Sequence, residues 1–241
     1  QEIIQMPRDH SIVDYEKYND PTDPARDFYN LDNFFTPYAQ NPYWTLYNQG
    51  NQYDEDRVYG NIELGYDILT DLKLMWRGGA DVSNAFQKDW GNLGIINDGT
   101  PNSSANDVVG AVAEISRKNQ QFNSDLFLTW KRQLSDKLDL SATVGHNINA
   151  RNANLFVSQV TNLVIPDYFS LSNTTVTPVT RRVISQRRLV GVYGSVSLGF
   201  DRWLYLSLGG RNDRSSTLPI ENNSYFYPSA SVSAVLSDAF T

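Results

Sequence analysis

The chain has 241 residues, a formal net charge of -7 and no cysteine, which excludes disulfides and thiolate metal sites. Its mean hydropathy is negative, and no run of residues approaches the roughly 18 to 20 apolar residues of a membrane helix. A helical membrane protein is therefore excluded, whereas membrane β-strands, which need only about 9 to 11 alternating residues, are compatible with this composition.

Residues 1–56 differ in composition from the rest of the chain. They hold eleven acidic residues against three basic ones, together with many aromatic side chains and several prolines. The prolines exclude a long helix or a central strand. A segment so rich in rings is predicted to be a structured extracellular or lumenal loop. Within it, Tyr43, Trp44 and Tyr47 are candidates for stacking on a substrate or a partner, and packing inside the loop is the alternative.

Alternation of apolar and polar residues begins near Arg57 and predicts seven strands. A period of two places successive side chains on opposite faces of a sheet. Even-numbered residues are mainly apolar, and their odd-numbered neighbours are small or polar. The predicted strands are 58–68, 72–82, 122–131, 138–144, 190–200, 204–211 and 225–236.

The connections between these strands alternate between short and long. Short turns are predicted at 69–71, 135–136 and 201–203, and longer connections at 83–117, 147–186 and 213–224. Outer-membrane barrels have this arrangement, with short periplasmic turns and longer extracellular loops. Aromatic residues near the predicted strand ends are consistent with two interfacial girdles. They are Tyr66, Trp130, Phe200 and Trp203 near the short turns and Phe122, Tyr225 and Tyr227 at the opposite ends.

The fold class predicted from this pattern is all-β, as an antiparallel transmembrane β-barrel segment. Single-chain bacterial barrels have even strand numbers and no free edge, so seven strands are expected to be part of a larger barrel. Residues 57–241 form the predicted partial barrel wall, located in the bacterial outer membrane.

Six charged residues, of both signs, lie on the polar side of the first three predicted strands. Such side chains suit contacts between the barrel wall and a plug in the lumen, and substrate contact is the alternative. These candidates are Glu63, Asp67, Arg77, Asp81, Asp125 and Lys131.

Other chemistry has weak support in the sequence. The two histidines, His10 and His146, are far apart and predict neither a triad nor a metal pair. Some acidic and amide side chains offer oxygen ligands for calcium, but their spacing does not match the calcium-loop pattern. The spacing favours ordinary turn chemistry and no cofactor. The calcium candidates are Asp20, Asp23 and Asp27, or Asn97 and Asp98 beside Gly99.

A basic cluster lies where the second long connection leads into the fifth predicted strand. The acidic balance of the chain excludes a nucleic-acid partner, so the cluster is expected to meet anionic lipopolysaccharide or to pair within the loop. Its members are Arg181, Arg182, Arg187 and Arg188.

Several stretches of the chain resemble the SusC/RagA family of TonB-dependent outer-membrane transporters. The main ones are RRLVGVYGSVSLGFDRWLYLSLGGRNDRSSTLP at 187–219 and NSYFYPSASVSAVLSD at 223–238. They are supported by NPYW at 41–44, RVYGNIELGYDILTDLKLMWRGGAD at 57–81, VGHN at 144–147 and IPDYFSLSNT at 165–174.

The resemblance implies a barrel of about 22 strands with an N-terminal plug, of which this chain is the middle part of the barrel. It also implies uptake of glycan fragments or oligopeptides with the help of a SusD-like surface lipoprotein. TonB would engage an N-terminal part that is missing from this sequence, and no enzymatic chemistry is implied. Two other hypotheses stay open: an outer-membrane scaffold that holds partner lipoproteins, and a soluble β-rich binding module.

Overall fold

The structure, a computed structural model, describes residues 4, 6–9, 11–16, 41–94 and 108–239. Their seven strands are β1 Gln49–Leu69, β2 Leu72–Gly94, β3 Val108–Ser135, β4 Leu138–Thr161, β5 Val179–Phe200, β6 Leu204–Ser215 and β7 Ser224–Ala234. The helices are short: α1 Pro42–Asn48, α2 Leu236–Ala239, and 3-10 turns at Ile12–Tyr15 and Ile220–Asn222. None of the helices in this described part has the length and apolar character needed to cross a membrane.

The strands form one sheet in which each strand pairs only with its neighbours in the chain, in the order β1 to β7. The β5–β6 and β6–β7 pairs are antiparallel, and they place even-numbered residues opposite even-numbered residues. Val196 lies opposite Leu208, and Leu206 lies opposite Val232. Because directly opposed residues share a face, the predicted separation into an apolar and a polar face holds across these strands. The predicted all-β fold class is confirmed.

The even-numbered apolar face is exposed. Val58, Ile62 and Val232 each have more than 60% of their surface accessible. Among the described residues, the buried apolar side chains are Trp44, Ala85, Val112, Val160 and Leu163. This face therefore has no compact apolar interior beneath it, as a soluble sandwich would require.

The chain divides into two compact units. The first unit comprises Gln1–Glu55, Ala85–Arg117 and Leu155–Val183, and the second comprises Asp56–Asn84, Lys118–Asn154 and Ile184–Thr241. The first unit has a small apolar core. It contains Val112, Val160 and Leu163, with Trp90, Leu93, Phe169 and Leu171 packed against them.

Neighbouring short turns of the second unit are tied together by two aspartates. Asp71, in the β1–β2 turn, accepts a hydrogen bond from the indole N–H of Trp130 at 2.9 Å. Asp201, in the β5–β6 turn, accepts one from Lys137 Nζ at 3.1 Å. Asp201 and Arg202 both have positive φ, 47° and 62°, which is the backbone that a tight hairpin turn requires. The three predicted short turns thus form a connected row.

The strands are longer than the alternation predicts. β1 begins at Gln49 rather than near Arg57, and β2 and β3 occupy most of the predicted 83–117 connection. Similarly, β4 and β5 reduce the predicted 147–186 connection to residues 162–178. As a result, Phe122 lies within β3 rather than at a strand end. His146 lies within β4. The prediction failed because these strand extensions lack the strict alternation of a strand with one lipid face and one polar face.

Candidate functional site: the polar face of the sheet

Charged side chains of the odd-numbered face pair across β1 and β2. The guanidinium of Arg57 donates to both carboxylate oxygens of Asp81, at 2.8 and 2.6 Å. Arg77 Nε donates to Glu63 Oε2 at 2.5 Å. All four side chains remain partly exposed, and such exposed pairs each stabilise a protein by about 1 kcal/mol at most. Their main effect is to hold charges of both signs at fixed positions on this face.

A second group of polar contacts is built around Tyr193 on β5. Its hydroxyl donates to Asp125 Oδ1 at 3.3 Å, and the guanidinium carbon of Arg211 lies 5.6 Å from its ring centroid. Arg211 in turn donates to Asp213 Oδ1 at 2.8 Å. Gly145 makes room for this ring, because a Cβ at that position would collide with Tyr193. The result is a fixed row of cation, ring and carboxylates across β3, β5 and β6.

Uncharged side chains continue the polar face between these groups. Asn147 Nδ2 donates to Asn123 Oδ1 at 3.3 Å. Hydroxyl pairs join Thr129 with Thr143 at 3.3 Å and Ser197 with Ser207 at 2.8 Å. Every side chain in these contacts is odd-numbered, so hydrogen-bonding groups extend across the polar face from β3 to β6.

A shallow cleft of about 470 Å³ opens on this face beside the Arg57–Asp81 pair. The side chains of Tyr59, Asn61 and Asp81 line one part of it, and Gln121 and Asn123 line the other. A ring, a carboxylate and several amides together can bind the hydroxyl or amide groups of a polar ligand.

The six charged residues predicted for the polar face lie on its strands, and five of them have partners. Besides the pairs described above, Lys73 Nζ lies 3.9 Å from Asp67 Oδ1. Lys131 is the sixth, and its backbone N–H donates to the backbone oxygen of Asp71 at 2.8 Å. Contact of these six residues with a plug or a substrate stays a prediction.

The sequence interpretation missed three residues that are central to the polar face, namely Arg57, Tyr193 and Arg211. All three are odd-numbered, so the parity that selected Glu63 and Arg77 also applies to them. The strand pairing in the structure adds what parity alone lacks, because it shows which odd-numbered residues are neighbours on adjacent strands.

The aromatic residues of α1 have different environments. Asn41 caps this helix by accepting a hydrogen bond from the Tyr43 backbone N–H at 2.9 Å, and Pro42 suits the first helical turn. Trp44 is 0% exposed and packs with Tyr43 and Val108. The burial of Trp44 favours the packing alternative for this residue. Tyr47 is 62% exposed, and its contact with a substrate or partner stays a prediction.

A buried asparagine joins three segments of the first unit. Asn92 is 0% exposed, and its Nδ2 donates to Asn48 Oδ1 and Asp167 Oδ1, each at 2.9 Å. Its Oδ1 accepts from the backbone N–H groups of Leu93 and Asp167, at 3.0 and 3.2 Å. Because a buried amide is costly unless it is hydrogen-bonded, this network fixes α1 and the 162–178 connection to the end of β2.

A second buried asparagine orders the 162–178 connection from within. Asn173 Oδ1 accepts from the backbone N–H groups of Val164 and Ile165, at 3.2 and 2.9 Å. Its Nδ2 donates to the backbone oxygens of Ile165 and Tyr168, at 2.7 and 2.6 Å. The connection is thereby held in one shape while Val164, Ile165 and Tyr168 stay exposed. Hydrogen bonds from Ser170 and Ser172 lower the pKa of Tyr168.

The calcium candidates in the 17–40 and 95–107 segments lie outside the described residues, as does His10. Within the described ranges, no three His, Cys, Asp or Glu side chains are grouped so that they could hold a metal ion.

Replacement of Asn173 by alanine is expected to loosen the 162–178 connection. The change leaves part-buried backbone N–H and C=O groups without their side-chain partner, which costs up to roughly 1 to 3 kcal/mol. Hydrogen exchange of the full-length protein should become faster at residues 162–178 and stay unchanged in β6. Asn149→Ala is the control, because it removes only the side-chain hydrogen bond from Asn149 Nδ2 on β4 to Asn123 Oδ1. This variant should leave hydrogen exchange in the 162–178 connection as slow as in the wild type. Wild-type protection of the connection in Asn173→Ala would contradict this account.

Comparison with known proteins identifies the family. The family described as TonB dependent receptor-like, beta-barrel matches residues 7–241. No curated protein matches the chain.

Among solved structures, the chain is similar in fold to the RagAB peptide transporter, with 17% identity and a TM-score of 0.69 over 83% of this chain. It is also similar to the RagAB peptide importer in the "open-open" and "closed-closed" states, each with 18% identity and a TM-score of 0.70 over 80% of this chain. The chain covers 22% of the first of these structures and 21% of the other two. It therefore spans about a fifth of their length.

Proposed function

We propose, because the chain belongs to the TonB dependent receptor-like β-barrel family, that it forms part of the wall of a TonB-dependent importer. The predicted resemblance to SusC/RagA transporters is confirmed at the level of family and fold. The chain is a segment of an outer-membrane β-barrel, which excludes the hypothesis of a soluble binding module. The observation that carries the proposal is the separation of the sheet into an exposed apolar face and a polar face with paired side chains.

The apolar face would contact the hydrocarbon of the membrane, and the polar face would line the lumen. Short turns lie on the periplasmic side of such barrels and longer connections on the extracellular side. On this basis the row of turns at Asp71 and Asp201 would be periplasmic, and the longer connections between strands would be extracellular.

We favour oligopeptides as the substrate class, with glycan fragments as the alternative. The Arg57–Asp81 and Arg77–Glu63 pairs are exposed enough to exchange partners with a peptide carrying charges of both signs. The amides beside them can bind a peptide backbone. The solved structures with this fold that are described as peptide transporters or importers are in accord with this choice.

A SusD-like surface lipoprotein is the proposed partner on the extracellular side. Exposed Val164, Ile165 and Tyr168 form an apolar surface on a connection that Asn173 already orders. An ordered apolar surface favours docking, because little conformational entropy is lost when a partner binds. Energy for transport would come from the proton gradient through TonB.

Growth of a deletion strain tests the importer proposal. Loss of the full-length gene is expected to abolish growth on oligopeptides as the sole nutrient and to leave growth on glycans unchanged. The opposite result would select glycan fragments. Normal growth on both, together with release of the surface lipoprotein from its complex, would contradict the importer and support the scaffold.

Uptake by variants tests the role of the polar face. The double variant Arg57→Met/Arg77→Met should take up labelled peptide about tenfold more slowly, equivalent to about 1.4 kcal/mol. Its amount in the outer membrane should be unchanged, because exposed pairs contribute little to stability. Arg132→Met is the matched control, since Arg132 lies 3.8 Å from Asp71 beside the short turns. Equal uptake by all variants would remove these pairs from the substrate path.

A further inference from the structure

A groove of about 570 Å³ runs across the apolar face of the second unit. Its floor includes Gly194 on β5 and Gly210 on β6, which lie directly opposite each other. Trp130, Leu208 and Phe226 are among its walls. A volume of this size lies in the range of about 300 to 1,000 Å³ that is typical of small-molecule sites.

The two glycines have different surroundings. A Cβ at Gly210 would lie 2.8 Å from the Phe226 ring, which covers that end of the floor. A Cβ at Gly194 would meet only the backbone oxygen of Thr143, at 3.5 Å. The groove is therefore open above Gly194, and its shape suits a flexible apolar chain.

Two arginines lie on the same face, farther from the short turns than the groove. Arg214 is opposite Val190, and Arg188 precedes Val190 by two residues in the uninterrupted strand β5, so both share the even-numbered face. Hydrogen bonds between Arg188 and Ser216, at 2.8 and 2.9 Å, fix the backbone there. Both arginines are exposed, and neither forms an ion pair within the described part of the chain.

The distance between the arginines and the groove matches the length of a lipid chain. Arg214 is four residues beyond Gly210, and Arg188 is six residues beyond Gly194. At about 3.3 Å per residue, this separation is roughly 13 to 20 Å along the strands. Half of the hydrocarbon core of a bilayer is about 15 Å thick. A headgroup held by the arginines would therefore place its acyl chain over the groove.

We propose that this face binds one phosphorylated, acylated lipid of the outer leaflet, namely lipid A of lipopolysaccharide. Arg188 and Arg214 would bind a phosphate through charge-assisted hydrogen bonds, and one acyl chain would occupy the groove over Gly194. The choice of leaflet rests on the membrane orientation in the proposed function, because the arginines lie on the side away from the short turns. The lipid site does not depend on which substrate the barrel imports.

Native mass spectrometry of the full-length protein from outer membranes tests the proposal. Wild-type protein should retain lipid A, whereas Arg188→Gln/Arg214→Gln should retain about tenfold less. Gly194→Leu fills the groove without a backbone clash and should also retain less. Arg187→Gln is the matched control, because it removes an adjacent charge that lies on the odd-numbered face. All of these variants should resist unfolding on gels as well as the wild-type protein does. This result would show that the variants are folded.

Binding of added lipids shows whether the bound phosphate group belongs to lipid A, to a phospholipid or to inorganic phosphate. Delipidated protein should bind purified lipid A in preference to phosphatidylglycerol or phosphatidylethanolamine, and inorganic phosphate should not displace it. Equal binding of phosphatidylglycerol, or wild-type retention in the double variant, would overturn the lipid A assignment. Wild-type retention in Gly194→Leu would overturn the acyl-chain part. Peptide uptake by the same variants should be normal, so a failure of the lipid site is distinguishable from a failure of the importer.

Discussion

Arginine at position 196 is expected to destabilise the full-length protein in lipid by about 2 to 4 kcal/mol, the range for a charge near the bilayer midplane of a barrel. Val196 lies on the apolar face opposite Leu208, so the guanidinium of Val196→Arg would enter hydrocarbon. Guanidinium titration of the protein refolded into vesicles measures the effect. Leu64→Arg on β1 should have a similar effect for the same reason.

The adjacent residue provides the control. Ser197 lies on the polar face, where its hydroxyl pairs with that of Ser207 at 2.8 Å. Ser197→Arg loses that hydrogen bond and directs its charge towards water, which should cost about 1 kcal/mol or less. Equal destabilisation by the two arginines would refute the assignment of the faces.

Valine at position 110 is expected to open the first unit. Gly110 has a φ of +68°, a conformation in which a β-branched residue is strained. A Cβ would also lie 2.9 Å from both Leu163 Cγ and the backbone nitrogen of Leu93. Strain and overpacking together should cost about 2 to 5 kcal/mol. Hydrogen exchange should become faster at the Val112, Val160 and Leu163 core and stay slow in β6.

Gly60→Val is the control for Gly110→Val. A Cβ at Gly60 meets no atom within 4 Å, and its φ is not in the left-handed region. Gly60→Val should therefore leave exchange in both units close to wild type. If Gly110→Val also retained wild-type exchange, the close approach of Leu163 and Leu93 would not be needed for the first unit.

The sequence predicts the parts of this fold that have a lipid face. From Val58 to Ile68 and from Val190 to Phe200, an apolar residue recurs at every second position or nearly so, because one side of the strand contacts an apolar environment. The strand count, the short turns and the two faces follow from this pattern. The start of β1 at Gln49 does not, because residues 49–56 show no alternation of apolar and polar residues.

The ordered first unit depends on contacts that local sequence does not encode. Asn92 and Asn173 each use both ends of the amide to join segments that are distant in the chain or folded back on themselves. In the sequence, an asparagine near glycine, serine or proline indicates a turn. Only the three-dimensional arrangement shows that these two are buried. The burial of Trp44 is hidden for the same reason, since its partner Val108 is 64 residues away.

Pairing restricted to chain neighbours has a consequence for how the protein is assembled. At a tight turn, the first residues that pair are only a few positions apart in the chain, so closing that turn costs little entropy. The hairpins β1–β2, β3–β4 and β5–β6, each with a tight turn, are therefore suited to form first and to add to the growing sheet one after another. A substitution that disrupts one tight turn should delay the hairpin that contains it more than the hairpins that precede it.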